Sequence, residues 1–598
     1  MFDASQIARE TVMVAMRDGI RLATDLYLPP RLPAPVVVMR TPYERAFPAR
    51  AAALLALACT GFVAVSQDVR GTGDSEPDHW DWRIYEQEDS YDCVDWIAAQ
   101  AWCGDFIGSC GGSYIGLTQW CMARHPRMSA IAPEVCALIA APSTAGRLYL
   151  LLNAYSRAVG KGEGKVGVPY ADFGTTERLM QPETLAGGFF NEPLERSFSE
   201  PLLERYPDLR PLSAAAGRNW LWARYNEAPP AERAEMLKLA LATNIITFSD
   251  NELLDTIFGR RAPRGLASSL DPRAPALARA VKAPALVITG WYDWMLDNTL
   301  ETWSVVTRRA RSDIAPRCRL VIAPDAHNMP GYHEDRAGHP ELERTLRSQN
   351  IAGLLYRWYE AVRAGTVESW PNVIYYLMGA NEWRASSAWP LPEARPQAFY
   401  LGANGALTPG AKPARSAPDS YIYDPLNPTP TLGGSIVSYV YTPGSVDVSE
   451  IQTRDDVLCY TTLALAQDLD VVGPLKMILY ASSSATDTDF FVRLSDVFPD
   501  GRAIQLQSGV LRARFRDPGG EPELIEPGRI YPFEIRMAAT GNRFKAGNRL
   551  RLDITSSDFP KFDRNTNRGG KPGAPVSATQ TIYHDTAHPS QLTLPVVS

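Results

Sequence analysis

Segments that would mark a membrane or secreted protein are missing from this sequence. No stretch reaches about 18 uninterrupted apolar residues, so no transmembrane helix and no membrane partner are expected. The first residues, MFDASQIARETVMVAMRDG, contain neither an apolar core nor a small-residue cleavage site, so no signal peptide is expected. These two absences predict a soluble protein of the cytoplasm.

Metal-binding spacings and a basic surface are also missing. The eight cysteines are scattered, and no CxxC motif or Cys/His pair has the spacing of metal ligands, so we expect no metal and no cofactor. Cys103 and Cys110 could approach each other, but free thiols are favoured for a cytoplasmic protein. The net charge is -7, and no basic stripe is available to neutralise phosphates, so no nucleic-acid partner is expected. Whether the chain forms a homodimer is left open by the sequence.

What the chain does contain, in its first 142 residues, is an alternation of strand and helix patterns. The turn signal Asp18-Gly19 predicts a hairpin over 11–27. Short apolar runs at 36–39, 62–65 and 106–108 suit strands buried on both faces, and helical patterns at 51–59, 91–100 and 114–124 follow them. This alternation predicts an α/β fold with a mostly parallel, doubly wound sheet.

The chain is too long for one core, and its texture changes twice. Residues 143–245 have no clear buried strand, a helical run at 231–243 and many aromatics, which predicts an inserted helical cap domain. Buried strands resume at 285–289 and 320–323. Beyond about 370, short alternating runs separated by turn residues predict a β-sandwich or jelly roll. The expected domains are therefore an α/β core (1–142 and 246–365), a cap (143–245) and a jelly-roll β-sandwich (366–598).

The sharpest local signal is the run Gly111-Gly112-Ser113-Tyr114-Ile115-Gly116, which follows a strand and opens a helix. In α/β-hydrolases the nucleophilic serine sits on such a strained strand-to-helix turn, where glycines allow the tight backbone. The strict GxSxG pattern is not met, because the second glycine comes one place late. Ser113 is the candidate nucleophile. An ordinary βα turn and a role for Ser109 remain as alternatives.

A nucleophilic serine needs a base and an orienting acid, and in this fold the chain order is nucleophile, acid, histidine. Asp293 follows the strand at 285–289, and His327 follows the strand at 320–323, so both fall at the carboxyl ends of buried strands. His327 is predicted to take the Ser113 proton, and Asp293 to hold the imidazole. Asp297 is the alternative acid. The other histidines precede the acid, lie deeper in a loop or belong to the C-terminal β region.

An oxyanion needs two hydrogen-bond donors. The N–H of Tyr114, next after the nucleophile, is one candidate. The second should come from the loop after an early strand, which reads Arg40-Thr41-Pro42-Tyr43, where the Tyr43 hydroxyl is available. The alternative reading of Tyr43 is a packed loop aromatic.

Taken together, the ordered motifs resemble one family, the cocaine esterase / X-Pro dipeptidyl-peptidase hydrolases, which include glutaryl acylases and α-amino acid ester hydrolases. The matching pieces run almost end to end: RTPYER (40–45), QDVRGTGDSE (67–76), IGSCGGSYIG (107–116), GWYD (290–293), AHN (326–328), YDPLNPTPTLGG (423–434) and SSDFPKFDRNTN (556–567). The resemblance implies an α/β-hydrolase core with an inserted helical cap domain and a C-terminal β jelly-roll domain. It implies the same triad, and it is the main support for Tyr43 as an oxyanion donor.

One departure bears on the substrate. The α-amino acid ester hydrolases carry acidic residues just after the catalytic Asp that hold the substrate ammonium, whereas Trp294, Met295 and Leu296 follow Asp293 here. The apolar side chains suggest an apolar or aromatic acyl group. Trp294 and Met295, with Tyr155 from the cap, are the predicted substrate-binding residues.

The function predicted from these residues is hydrolysis of an ester or amide of a small acyl substrate through an acyl-enzyme. An X-Pro or acylaminoacyl peptidase, or an acyltransferase, would use the same triad and stays as the alternative. A non-catalytic binding protein is disfavoured because Ser, Asp and His occur intact and in fold order.

Overall fold

The computed structural model describes residues 2–77, 85–136, 138, 274–327, 329–333, 351–410, 416–436, 442–517, 523–559, 561–562, 565–569 and 575–597. The expected cap at 143–245, with its helix at 231–243 and Tyr155, lies outside these residues. Residues 246–273, the first part of the expected second half of the core, also lie outside them.

The first sheet is mixed and has eleven strands, in the order β1-β2-β4-β3-β5-β6-β7-β8-β10-β11, with β9 paired to β8. Its strands are β1 (Ala8–Ala15), β2 (Arg21–Leu28), β3 (Ala34–Thr41), β4 (Val63–Asp68), β5 (Cys103–Gly112), β6 (Ala130–Glu134), β7 (Leu286–Tyr292), β8 (Arg319–Ala326), β9 (Met329–Pro330), β10 (Val373–Leu377) and β11 (Glu382–Ser386). From β4 to β10 neighbouring strands run parallel, and the strands outside that stretch are antiparallel. The predicted parallel core is therefore confirmed, with an antiparallel hairpin at each edge.

Helices cover both faces of this sheet, which is why its central strands contain apolar runs that are buried on both faces. Val36, Val37 and Val38 of β3 are all fully buried. The helices are α1 (Pro48–Cys59), α2 (Glu86–Ala98), α3 (Tyr114–Met122), α4 (Ala274–Ala280), α5 (Leu296–Arg309) and α6 (Ile351–Ala364). Among the described helices, none is long and apolar enough to cross a membrane.

The second sheet also has eleven strands and is almost wholly antiparallel. Its strands are β12 (Arg395–Gly402), β13 (Ala406–Pro409), β14 (Asp419–Tyr423), β15 (Leu458–Thr461), β16 (Leu469–Ser483), β17 (Asp489–Val497), β18 (Ala503–Arg512), β19 (Tyr531–Phe544), β20 (Arg549–Thr555), β21 (Ala578–Tyr583) and β22 (Gln591–Val597). Because β16 pairs with β22 as well as with β19, the path through β18, β17, β20, β15, β13 and β12 closes on itself. The C-terminal part is thus a β-rich, barrel-like domain, and closure removes exposed strand edges.

The first sheet continues beyond residue 366, where the β domain was expected to begin. Strand β10 pairs parallel with β8, and β11 pairs with β10, so the first sheet extends to Ser386. The sequence VIYYLM (373–378) predicts a strand of the β domain, because a short alternating strand carries no local sign of the strand with which it pairs. The pairing to β8 is a long-range contact, and only the tertiary structure reveals it.

The two sheets meet directly behind one end of β7. The Tyr292 hydroxyl donates to the Gln505 carbonyl oxygen at 3.0 Å, and the Gln507 amide donates to the Trp291 carbonyl oxygen. A Cβ at Gly541 would lie 2.4 Å from the Trp291 ring, so the β19 backbone packs closely against that indole. The barrel-like domain therefore supports the strand that leads into Asp293.

Candidate active site

Ser113 occupies a strained turn between β5 and α3. Its φ and ψ are 60° and −125°, a combination that a residue with a side chain rarely adopts and that costs about 1–3 kcal/mol. The Ser113 N–H donates to the Glu134 carbonyl oxygen at 2.9 Å, which fixes the turn against β6. Such strain persists only where the surroundings impose it. Its presence at this serine fits a nucleophile elbow.

The glycines around Ser113 are required by close packing, and this explains the displaced second glycine. Gly111 has φ 118°, and a Cβ there would lie 2.5 Å from the Ile115 side chain. A Cβ at Gly116 would lie 2.7 Å from both the Cβ and the Sγ of Cys136. The late glycine therefore lets α3 approach the end of β6.

The Tyr43 hydroxyl donates to Ser113 Oγ at 3.3 Å. Tyr43 lies two residues beyond β3, and its N–H donates to the Thr41 hydroxyl. Its ring packs with Val69, Tyr114 and Leu117. The structure thus brings the predicted phenol and the predicted nucleophile together and packs the Tyr43 ring against its neighbours, while the role of the hydroxyl as an oxyanion donor stays a prediction.

Asp293 and His327 form the other contact pair. His327 Nδ1 lies 3.0 Å from Asp293 Oδ2, and both side chains are buried. The second carboxylate oxygen of Asp293 accepts the Met295 N–H at 2.5 Å. Asp297, the alternative acid, lies in the first turn of α5, and the carboxylate recorded within hydrogen-bond distance of His327 Nδ1 is that of Asp293. The imidazole is therefore oriented by Asp293.

The strands themselves set up this pair. β7 and β8 are parallel neighbours, and their register shifts between Gly290 and Tyr292, just before the acid. A Cβ at Gly290 would lie 2.1 Å from the Asp325 carbonyl oxygen, so only glycine permits the two strand ends to come this close. β3, β5, β7 and β8 all end at the same edge of the sheet, which is where Tyr43, Ser113, Asp293 and His327 follow.

Two of the predicted substrate-binding residues are described. The Trp294 ring lies 5.7 Å from the His327 ring, centroid to centroid, and is half-buried. Met295 is buried in the hydrophobic core, and its backbone orients Asp293. Trp294 is thus beside the imidazole, while a role for Met295 in a pocket stays a prediction.

Ser109 is excluded as an exposed nucleophile by its position. It lies inside β5 with no solvent exposure, and its hydroxyl donates to Gln119 Oε1 at 3.2 Å. The cysteines are no nucleophiles here either. All eight are free thiols, as expected, and burial raises the pKa of Cys110, the one nearest the elbow in sequence, to about 12.

The sequence analysis missed a carboxyl group that lies beside the carboxyl ends of β7 and β8. Glu134, the last residue of β6, is half-buried, and burial together with the charges of Asp325 and Asp293 raises its pKa to about 8. The next residue, Val135, has φ 43°, an unusual conformation for a β-branched side chain. No motif marks Glu134, because the three acids meet only when β6, β7 and β8 align.

A second serine–histidine–aspartate contact was also missed. Ser416 Oγ lies 2.9 Å from His584 Nδ1, and His584 Nε2 lies 2.9 Å from Asp419 Oδ2. This set belongs to the barrel-like domain. Asp419 additionally accepts the Tyr460 hydroxyl, and Ser416 precedes a strand rather than a helix. It offers a ready comparison for Ser113.

Within the described ranges, no group of three or more His, Cys, Asp or Glu side chains is placed to hold a metal ion. At the edge of the first sheet the described residues place a serine with a phenol hydroxyl beside it, and a histidine bonded to a carboxylate.

Comparison with known proteins agrees with these features. Residues 18–144 match the X-Pro dipeptidyl-peptidase (S15 family) model, and residues 365–593 match the X-Pro dipeptidyl-peptidase C-terminal non-catalytic domain. The chain is 33% identical over 624 residues to cocaine esterase from Rhodococcus sp. (strain MB1 Bresler), covering 100% of both chains.

Two solved structures share the fold along the whole chain. An aminopeptidase from a Thaumarchaeota archaeon has a TM-score of 0.73 at 20% identity, with 100% of this chain and 97% of that one covered. An α-amino acid ester hydrolase has a TM-score of 0.71, also at 20% identity and with the same coverage.

Proposed function

Because the chain belongs to the cocaine esterase / X-Pro dipeptidyl-peptidase family of hydrolases, we propose that it cleaves an ester of a small acyl group through Ser113, His327 and Asp293. The observation that carries this proposal is the backbone of Ser113, whose strained φ and ψ present its hydroxyl between a helix N-terminus and the Tyr43 hydroxyl. A serine with only a structural role would not need that strain.

The proposed first step is acylation. His327 Nε2 takes the Ser113 proton as Oγ attacks the substrate carbonyl, and the imidazolium that forms is stabilised by Asp293 at Nδ1. The Tyr43 hydroxyl and the Tyr114 N–H donate to the developing oxyanion. When the tetrahedral intermediate collapses, His327 gives its proton to the leaving alcohol, and the acyl group stays on Ser113.

The proposed second step is hydrolysis of the acyl-enzyme. Water loses a proton to His327 and attacks the same carbonyl, and the same two donors stabilise the second oxyanion. Collapse returns the proton to Ser113 Oγ and releases the acid. Trp294, next to the imidazole, is proposed to contact the acyl group, which favours an apolar or aromatic acyl chain.

The test is labelling by a fluorophosphonate probe, with hydrolysis of a p-nitrophenyl ester measured in parallel. Wild-type protein and the Ser416→Ala variant should both be labelled on Ser113 and be equally active. Ser113→Ala should lose the label and nearly all activity, since removing a triad member costs a factor of about 10⁴–10⁶ in kcat. A label on Ser416, or an active Ser113→Ala variant, would overturn the assignment.

The peptidase and acyltransferase alternatives use the same residues. A p-nitrophenyl ester and a p-nitroanilide with one acyl group in common separate esterase from amidase activity. Adding an amine or alcohol acceptor reports acyl transfer through a second product. We expect the ester to be the faster substrate.

The fold of the second domain is also a proposal. We propose that the barrel-like domain is a jelly roll, which its closed path of mostly antiparallel strands supports. A cytoplasmic location, a small ester or amide as the partner and the homodimer left open above stay predictions.

A further inference from the structure

Tyr114 has a second contact besides its place next to the nucleophile. It is the first residue of α3, and its side chain is buried, with the hydroxyl donating to Glu86 Oε1 at 2.9 Å. Glu86 is the first residue of α2 and is itself buried. The residue that offers an N–H to the oxyanion is therefore anchored through its phenol to another helix.

Glu86 is bonded in turn to Arg40 of the first sheet. The other oxygen of Glu86 accepts from the guanidinium of Arg40 at 2.8 Å, and Arg40 has no solvent exposure. The same guanidinium donates to Gln67 Oε1 at 2.8 Å and to Ser90 Oγ at 2.7 Å. A second buried carboxylate, that of Asp89, lies 3.9 Å from the guanidinium. A buried ion pair held by further hydrogen bonds has little freedom, because separating Glu86 from Arg40 would break charge-assisted bonds in the protein interior.

Arg40 lies on β3, three residues before Tyr43. Its carbonyl oxygen accepts the hydroxyl of Thr118, one turn along α3 from Tyr114, at 3.1 Å. Helix α3 is therefore bonded to Arg40 at two positions. One is Tyr114, through Glu86, and the other is Thr118, directly. The strand that leads to Tyr43 and the helix that begins with Tyr114 are thus both bonded to Arg40, one buried charged residue.

From these contacts we propose that Glu86 and Arg40 are positioning residues of the oxyanion hole. The chain of bonds from Tyr114 through Glu86 to Arg40 sets the spacing between the Tyr114 N–H and the Tyr43 hydroxyl. This inference rests on the proposed function. Since the oxyanion exists only during the reaction, a change in that spacing lowers kcat and leaves KM nearly unchanged.

The primary test is Tyr114→Phe, which removes the hydroxyl but keeps the ring and the backbone N–H. With a p-nitrophenyl ester we expect kcat to fall about tenfold and KM to stay within about twofold, less than the loss when a whole donor is deleted. The matched control is Tyr421→Phe, which removes another buried hydroxyl, bonded to Ser556 Oγ at 2.9 Å in the barrel-like domain. It should keep wild-type kcat and KM.

A second variant distinguishes a positioning role from a general loss of folded protein. Glu86→Gln keeps an oxygen that can accept the Tyr114 hydroxyl but removes the charge opposite Arg40. In the double variant, the kcat loss should be smaller than the product of the single losses, because both act on one chain of contacts. Thermal melting and the fluorophosphonate titre of each variant give the folded, active fraction to which kcat is referred.

The outcomes separate the two proposals. A wild-type kcat in Tyr114→Phe, or equal changes in kcat and KM, overturns the positioning role. If the wild-type protein is not labelled on Ser113, the proposed function itself fails, whatever Tyr114→Phe does. Labelled Ser113 with an unaffected Tyr114→Phe leaves the hydrolase standing and removes only this inference.

Discussion

At the scale of single residues, backbone conformation distinguishes Ser113 from Ser416, although both serines belong to hydrogen-bonded sets containing a histidine and an aspartate. Ser113 has a strained backbone, a phenol hydroxyl at 3.3 Å and a helix that begins at the next residue. Side-chain contacts alone would have favoured Ser416, whose hydroxyl is 2.9 Å from an imidazole nitrogen. On its backbone geometry and the helix that follows it, Ser113 is the serine that we propose to attack the substrate carbonyl.

Glu134 yields a prediction about pH. Its pKa is raised from 4.5 to about 8, so the folded protein holds this proton over a range in which the unfolded chain has lost it. Stability from this group is greatest at acid pH and falls as the pH rises through that range. We expect on the order of 2–4 kcal/mol of unfolding free energy to be lost between the two limits.

The measurement compares urea unfolding of wild type and Glu134→Gln at several pH values. Glutamine has a similar shape and no proton to lose, so the difference between the two proteins should change in favour of the variant as the pH rises. The exposed Glu393→Gln is the matched control and should follow wild type. A pH-independent difference for Glu134→Gln would contradict the prediction.

At the scale of secondary-structure elements, the site depends on four parallel strands ending at one edge. In the sheet, β5 leads to the proposed nucleophile and lies next to β6, two strands away from β7, which leads to the proposed acid. The elbow is then held against β6 by the Ser113 N–H. The acid and the base, in contrast, follow directly neighbouring strands, so their contact depends on how closely β7 and β8 approach.

Gly290→Ala tests that approach. The new methyl would meet the Asp325 carbonyl oxygen at 2.1 Å, so the strand ends must separate just before Asp293 and His327. Overpacking of this kind costs about 1–3 kcal/mol of stability, and we expect kcat to fall at least about tenfold. Gly402→Ala is the control, since its methyl would have nothing nearer than 3.8 Å. Steady-state kinetics with thermal melting check both variants, and an active Gly290→Ala variant would argue against a strand-spacing role.

At the scale of the whole molecule, the barrel-like domain contacts the strand that leads to the proposed acid. Gln505 and Gln507 of β18 bond to Tyr292 and Trp291, the two residues that precede Asp293. A domain whose family model is described as non-catalytic thereby supports the strand that positions the proposed acid. The two domains are expected to unfold together for the same reason.

Gln507→Leu tests this coupling. It leaves the buried Trp291 carbonyl oxygen without its amide donor, which should cost about 1–3 kcal/mol and lower kcat. The matched control is Gln580→Leu, which removes a buried amide bonded to Thr488 within the barrel-like domain at 2.9 Å. The control should lose stability and keep kcat per folded molecule. Equal kcat in the two variants would show that the domain contact does not affect catalysis.

The sequence by itself determined the candidate nucleophile, acid and base, because each is marked locally: a glycine-rich turn, or the residues directly after an apolar run. The candidate phenol, Tyr43, rested mainly on the family resemblance. It also determined the parallel core, since alternating strands and helices leave few other arrangements. Chain order then selected His327 among seven histidines.

Only the tertiary structure decided which of these residues meet and what supports them. The strand at 373–377 joins the first sheet rather than the second, and Glu134 lies with Asp293 and Asp325. The link from Tyr114 through Glu86 to Arg40, and the contact of Gln507 with Trp291, join segments 28 to 216 residues apart. Such contacts arise from packing between distant segments, and hydrophobic periodicity records only which face of an element is buried, not what lies against it.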